Sequence, residues 1–275
     1  MRLDRRSFLA MGAAGFSALV LGKPPDAFHE IERASRSLRW DRLAFGGRIH
    51  AIAGHFLGTP YVGNTLEGNP ERCRVFLDRF DCVTLVDCCW GLARICPNYS
   101  EARLVKAVTQ TRYRQGKVDG YWSRLHYTTD TLSNHSQARR LEIVSERFPG
   151  GVAWDPVTSY MGDHPSAYGA SKADPGFQRH AREMEARLDP VRFKRIPKDH
   201  WVDCYPLMEP GDLLALCTTK AGLDFSHVGI YAGDGAFIHA SSSQRQVVRQ
   251  SLSAWGQSVG TCNGFVVSRL ADFPL

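Results

Sequence analysis

Apolar positions along this chain follow two different periods, and the change between them falls near residue 211. In the first half, residues 28–43 carry Phe28, Ile31 and Leu38 at helical spacing on a charged background, which predicts an amphipathic helix. Residues 48–57 predict a second short helix, ended by Gly58-Thr59-Pro60. The stretch 61–79, punctuated by Gly63, Gly68 and Pro70, reads as loop. A mostly apolar helix over 81–95 follows, stopped by Pro97. Ser100 is suited to cap the next helix, with apolar spacing through Leu104, Val105 and Val108. From Gly211 onward, short apolar and β-branched runs at 213–217, 227–232, 236–241, 246–250 and 264–270 predict strands. Gly233-Asp234-Gly235 between two of them is a hairpin signal.

Helices first and an antiparallel sheet last is the grammar of an α+β fold packed in two layers. The middle, about 115–205, is rich in His, Tyr, Trp, Gly and Pro and offers one convincing helix near 177–188. It reads as an elaboration of a single domain spanning 26–275. There is no internal repeat and no low-complexity tract.

Composition changes this little. Hydrophobic residues at 43% and charged residues at 23% describe an ordinary globular protein, which excludes a fibre, a disordered chain or a disulfide miniprotein. Charge changes it more. Residues 1–25 hold half of the formal net charge of +6, and what is left is too weak to argue for nucleic acid. That first segment, with Arg5-Arg6 ahead of an apolar run over 8–22, reads as a twin-arginine-like export signal. The run is shorter than the ~20 residues a bilayer span needs. An uncleaved signal anchor is the alternative. The expectation is an exported protein of the periplasm or cell envelope, without a stable membrane span after processing.

Export permits disulfides among the eight cysteines, at 73, 82, 88, 89, 96, 204, 217 and 262. The adjacent Cys88-Cys89 and the lack of paired C-x-x-C spacings argue against a zinc ribbon or a regular disulfide framework. One cysteine stands apart. In FDCVTLVD, Asp81 can cap a helix and Cys82 then falls in its first turn, where unpaired N–H groups and the helix dipole favour a thiolate. The plainer reading makes Cys82 a small buried apolar residue like Cys88 and Cys89.

SHVGIY puts His227 at the start of an apolar strand, on one face with Gly229 and Tyr231. The next strand carries His239 in FIHAS, and a tight hairpin makes the two strands neighbours. A thiol, a base and a group that orients the base are what nucleophilic catalysis needs. The histidines at 50, 55, 135 and 164 have no partner spacing for a metal site, and no His-Glu-x-x-His pattern, phosphate loop or dinucleotide fingerprint occurs.

The ordered set G-T-P-Y (58–61), D-C at a helix start, S-H-V-G-I-Y and I-H-A-S resembles the NlpC-type cell-wall peptidases of the papain-like superfamily. YVGNTLEG, FDCVTLVD, RYRQGKVDGYWSRLHYTTD, GLDFSHVGIY and IHASS together resemble the NlpC-related N-acetylmuramoyl-L-alanine amidases, over about 52–270. The resemblance implies a papain-like NlpC-type fold, with N-terminal helices, the nucleophile at a helix start, and a C-terminal antiparallel sheet. It implies Cys82 as nucleophile, His227 as general base and later acid, and His239 as the residue orienting His227. Tyr61, Asp81 and Ser226 would border the substrate. Substrate selection would fall to Ser123, Arg124, His126, Tyr127 and Asp130, with Arg124 suited to pair with a peptide carboxylate. Read from residues alone, Trp122, Leu125 and Tyr127 serve equally as core with the charges solvated, and Arg112 and Arg114 as an exposed helix end.

The implied partners are peptidoglycan fragments, with 1,6-anhydro-muropeptides favoured, and no metal or organic cofactor is called for. A D,L-endopeptidase acting on stem peptides and a non-catalytic wall-binding module are the rival expectations.

Overall fold

Burial on two faces at once explains the sheet at the centre of this protein. In the computed structural model, which describes residues 27–275, the chain runs through seventeen principal elements. They are α1 (Ala27–Ser37), α2 (Phe45–His55), α3 (Cys82–Ile95), α4 (Glu101–Arg112), α5 (Thr128–Gln137), β1 (Leu141–Ile143), β2 (Val152–Trp154), α6 (Tyr160–Asp163), α7 (Phe177–Ala186), β3 (Phe193–Arg195), α8 (Trp201–Cys204), β4 (Leu213–Thr218), β5 (Phe225–Tyr231), β6 (Ala236–Ser241), β7 (Gln246–Ser251), α9 (Leu252–Ser258) and β8 (Cys262–Leu270). Six strands form an antiparallel sheet in the order β1-β8-β4-β5-β6-β7, and β2 pairs with β3 separately. The α+β architecture is therefore present. The expected export segment at 1–25 lies outside the described residues.

Strand alternation sorts the side chains of the sheet. Leu213, Ala215, Cys217, Val228, Ile230 and Ile238 join the core formed with α2, α3 and α4. Leu214, Leu216, Tyr231, Phe237, Phe265 and Val267 face the other way, under Trp201, Cys204 and Leu252. Both faces are dry, so every residue of β4 is buried. A third, smaller cluster holds the elaboration together, through Tyr127, Met161, Phe177, Ala181 and Met184.

Expected and observed elements agree best where periodicity was strong. The helix predicted over 81–95 starts at Cys82, and all five predicted strands are present. The first helix stops earlier than predicted: Arg39 takes a left-handed conformation (φ 53) and Leu38 is exposed. The elaboration holds more regular structure than its composition announced, in α5, α6, α8 and the β2–β3 ribbon. α6, α8, β2 and β3 are three or four residues long, too short for any period to register, and the ten residues of α5 (TTDTLSNHSQ) hold a single large apolar side chain, Leu132. β1 is likewise a three-residue edge strand, docked on β8.

One expectation is reversed. Arg112 is buried rather than on an exposed helix end. Its Nε donates to Asp87 Oδ2 at 2.8 Å and its Nη1 to the Arg74 carbonyl, tying α4 to α3 and to the loop before it. Burial pushes the Asp87 carboxyl up, and the guanidinium beside it opposes that. Removing one partner of a buried pair leaves an uncompensated charge, which costs about 3–5 kcal/mol. Arg112→Leu is therefore expected to lower the unfolding free energy by about 3 kcal/mol or more in urea titrations. The double variant Asp87→Leu/Arg112→Leu is expected to lose much less than the two single variants added together. Strict additivity would show that the pair is not coupled.

Candidate active site

Asp81 and Thr84 begin α3 by a reciprocal exchange. The Asp81 carboxylate accepts from the Thr84 N–H at 2.8 Å, and Thr84 Oγ1 accepts from the Asp81 N–H at 2.9 Å. This capping box fixes Cys82 as the first residue of the helix. The backbone N–H groups of Cys82, Val83 and Val228 act to lower the pKa of its thiol. The third comes from β5, one residue beyond His227, so the thiol sits where the helix start meets that strand.

The amides favour a thiolate, as the position at a helix start led us to expect. They do not prevail. Burial and the Asp81 carboxylate push the Cys82 thiol up to about 12. The other cysteines are more deeply placed than Cys82, except for the half-buried Cys96, and no two of the eight are bonded to each other.

His227 and His239 meet because of a glycine. Extending the register Ile230↔Ile238 sets Gly229 opposite His239. A side chain at Gly229 would lie 2.6 Å from Phe237 Cδ2 and 3.1 Å from His239 Cβ, so the position must be empty. Across that gap His227 Nε2 lies 2.7 Å from His239 Nδ1, with the rings nearly perpendicular at 88°. A β-bulge passes Ser226 over in the pairing with β4, which leaves Ser226 exposed while His227 is half-buried.

Two residues at this site were not singled out in the sequence. Gln250 Oε1 lies 3.2 Å from His239 Nε2. Trp255, on α9, stacks on His227 at 5.3 Å, while Phe237 stacks on His239 at 4.2 Å with the planes 5° apart. Neither Gln250 nor Trp255 falls in a motif, and only the turn back from β7 into α9 brings them here. This cover depresses both imidazoles. Burial, then the neighbouring His239, pulls His227 down to about 3. Burial lowers His239 to about 4, against the opposing hydrogen bond from Gln250. Near neutrality the site therefore holds a thiol and two uncharged imidazoles.

The G-T-P-Y segment is placed by main-chain pairing. Gly58 and Tyr61 donate to Val247 and Arg245 of the β7 edge, and Val62 donates to Phe80, just ahead of Asp81. Tyr61 consequently stands half-buried near Cys82. Burial, with Cys82 and Asp81 nearby, raises its phenol. Asp81, expected to border the substrate, commits its carboxylate to the helix cap.

The five expected selectivity residues are engaged inside the protein. Arg124 is 5% exposed and is held by Glu71 at 2.6 Å and Glu67 at 2.9 Å, so its guanidinium is not open to a peptide carboxylate. Asp130 pairs with Arg114, Tyr127 donates to Glu185, His126 Nε2 meets the Tyr121 carbonyl, and Ser123 closes a turn with Gly120. Burial takes His126 down to about 3. A cavity of about 630 Å³ lies beside them, lined by Glu67, Glu71, Tyr121 and Asp174, the first two of which hold Arg124. Among the described residues, no helix is long and apolar enough to cross a membrane, and no three His, Cys, Asp or Glu side chains converge as metal ligands.

Comparison with known proteins supplies the context. A family model described as AmiA-like, N-acetylmuramoyl-L-alanine amidase-like, matches residues 51–259. The crystal structure of an N-acetylmuramoyl-L-alanine amidase from Bacteroides uniformis is similar at a TM-score of 0.78 and 30% identity, covering 83% of this chain and 99% of that one. A candidate xylanase from Bacteroides fragilis is similar at a TM-score of 0.70 and 31% identity, over 80% and 100% of the two chains. A Legionella pneumophila protein shares the fold at a TM-score of 0.68 and 21% identity, over 91% and 96%. No curated protein matches the chain.

The resting protonation state can be read directly. A raised thiol beside a depressed imidazole predicts that iodoacetamide alkylation of Cys82 climbs from about pH 7 to about pH 10 without a plateau. Peptide mass spectrometry of the alkylated protein measures this. A rate already flat at about pH 7 would mean a preformed thiolate–imidazolium pair instead.

Proposed function

This chain belongs to the AmiA-like family of N-acetylmuramoyl-L-alanine amidase-like proteins, and from that premise we propose that it is a cysteine amidase. Its substrates are peptidoglycan fragments, with 1,6-anhydro-muropeptides favoured, and it cuts between N-acetylmuramic acid and L-alanine. The observation that best supports a cysteine mechanism is Cys82 at the capped start of α3, a helix packed on β5, the strand that carries His227 with its imidazole braced by His239 at 2.7 Å.

In this reading His227 Nδ1 removes the Cys82 proton as the sulfur attacks the lactyl carbonyl. A C–S bond forms and the carbonyl electron pair moves to oxygen, which is held by the amides at the start of α3. The C–N bond then breaks, and the alanine nitrogen leaves with the proton from His227. Water, deprotonated by His227, attacks the thioester and displaces the sulfur, leaving the sugar's carboxylate. A neutral resting pair suits this sequence, because proton transfer accompanies bond formation. The fold belongs with the same reading: a helix-borne thiol set against a histidine-bearing antiparallel sheet is the papain-like NlpC arrangement.

A glycosidase reading, suggested by the xylanase likeness, fits less well. Glycoside cleavage uses two carboxyl groups flanking the bond, and the carboxylate next to Cys82, that of Asp81, is engaged in the helix cap. We further propose that the chain is exported, on the signal character of its first 25 residues.

Digestion of a purified 1,6-anhydro-muropeptide, followed by mass spectrometry, tests the reaction. Free anhydro-sugar and intact stem peptide are expected. A cut within the peptide would make the protein an endopeptidase, and no cut at all would favour a binding module. Cys82→Ala is expected to lower turnover by roughly three orders of magnitude or more, with circular dichroism unchanged.

A further inference from the structure

Behind His227 and His239 the hydrogen-bonded chain continues for two more residues. Gln250 Oε1 is 3.2 Å from His239 Nε2, and the same oxygen accepts from Gln244 Nε2 at 3.2 Å. Gln244 lies in the turn between β6 and β7, and Gln250 near the end of β7. Gln250 therefore meets the Nε2 edge of the fully buried His239, whose face is covered by the Phe237 ring.

This contact settles which nitrogen carries each proton. An amide oxygen only accepts, so a neutral His239 bonded to it carries hydrogen on Nε2 and leaves a lone pair on Nδ1. That lone pair faces His227 Nε2 at 2.7 Å, so His227 carries its own hydrogen on Nε2. The remaining lone pair of His227 is then on Nδ1, the nitrogen turned away from His239. A base needs its lone pair there, because Nε2 is already occupied. Were the Gln250 amide reversed, every proton in the chain would move by one site, and Nδ1 of His227 would hold a hydrogen. Gln244 accepts or donates through its own exposed amide and so does not fix the direction; the arrangement follows from the Gln250 oxygen facing His239.

We propose that Gln250, through the oxygen facing His239, is a positioning residue that sets the tautomers of His239 and His227 and so gives His227 its basic nitrogen. It touches neither Cys82 nor substrate. The proposal rests on the cysteine–histidine reading of the site, but its primary readout does not depend on the substrate.

The test uses the full mature chain and three variants, Gln250→Leu, Gln250→Glu and Gln244→Ala. The nitrogen-15 shifts of both imidazoles, read by long-range correlation near neutral pH, report the tautomers. The wild-type protein is expected to show hydrogen on Nε2 of both rings. Gln250→Leu is expected to move the hydrogen of His239 to Nδ1 or mix the two forms. It is also expected to slow Cys82 alkylation by iodoacetamide and lower kcat by roughly tenfold to a hundredfold with KM little changed. Gln250→Glu keeps an acceptor oxygen and is expected to restore the Nε2–H form. Gln244→Ala is expected to leave both tautomers as in the wild-type protein, since Gln250 alone meets His239 and Gln244 is exposed. Hydrogen on Nδ1 of His239 in the wild-type protein overturns the proposal, as does an unchanged tautomer and alkylation rate in Gln250→Leu. If Gln250→Leu does not fold, Gln250→Glu decides: loss of the Nε2–H form there also overturns it. Intact tautomers and alkylation without muropeptide cleavage would count against the amidase assignment alone.

Discussion

Everything at this site depends on how α3 is seated against β5 and β6. From Thr84 to Ile95 the helix is buried without interruption, so its axis has no freedom to shift. Only Cys82 and Val83, in the first turn, emerge. The capping box ends the helix at that point, and a sulfur one residue past the cap is delivered to the start of β5. The buried Arg112–Asp87 pair and the Gly91 contact with Leu104 and Val108 lock α4 against the same helix. Stability and placement of the thiol therefore come from the same contacts.

The chemistry of the cleft follows from exclusion of water rather than from attraction between charges. A helix start and three amides pull the thiol toward ionisation, but burial outweighs them. The two imidazoles are held neutral by the same dryness, with aromatic rings stacked on each. Neutral groups in a dry site need their hydrogen bonds satisfied in a definite order. A directional chain of acceptor and donor meets that need without placing a net charge beside the thiol.

The elaboration uses charge differently. Arg124 with Glu67 and Glu71, Arg114 with Asp130, and Glu185 beneath Tyr127 are internal pairs that hold irregular backbone in place. A loop-rich segment has few ladder hydrogen bonds, so side chains take over the task of satisfying its backbone. Residues that look like a ligand-binding set in the linear sequence are thus spent on internal contacts.

How much of this was legible beforehand depended on range. The α+β order, the start of α3, the Asp81 cap and the strands from β4 onward were written in local periodicity and capping chemistry, which act over a few residues. The pairing of His227 with His239 was legible because a hairpin joins their strands, and hairpins are local too. Arg112, Arg124 and Asp130 were not, because an arginine in isolation looks solvated, and only a carboxylate delivered from a distant loop or helix makes its burial tolerable. Gln250 and Trp255 carried no signal at all, since neither polarity nor aromaticity specifies a partner. The sequence by itself determined the elements and the reactive residue types, because propensity and period are properties of neighbours. The tertiary structure alone decided which charges are internal, which way the thiol and imidazoles ionise, and what stands behind the base. Those outcomes depend on desolvation, and desolvation is decided by what the rest of the chain covers.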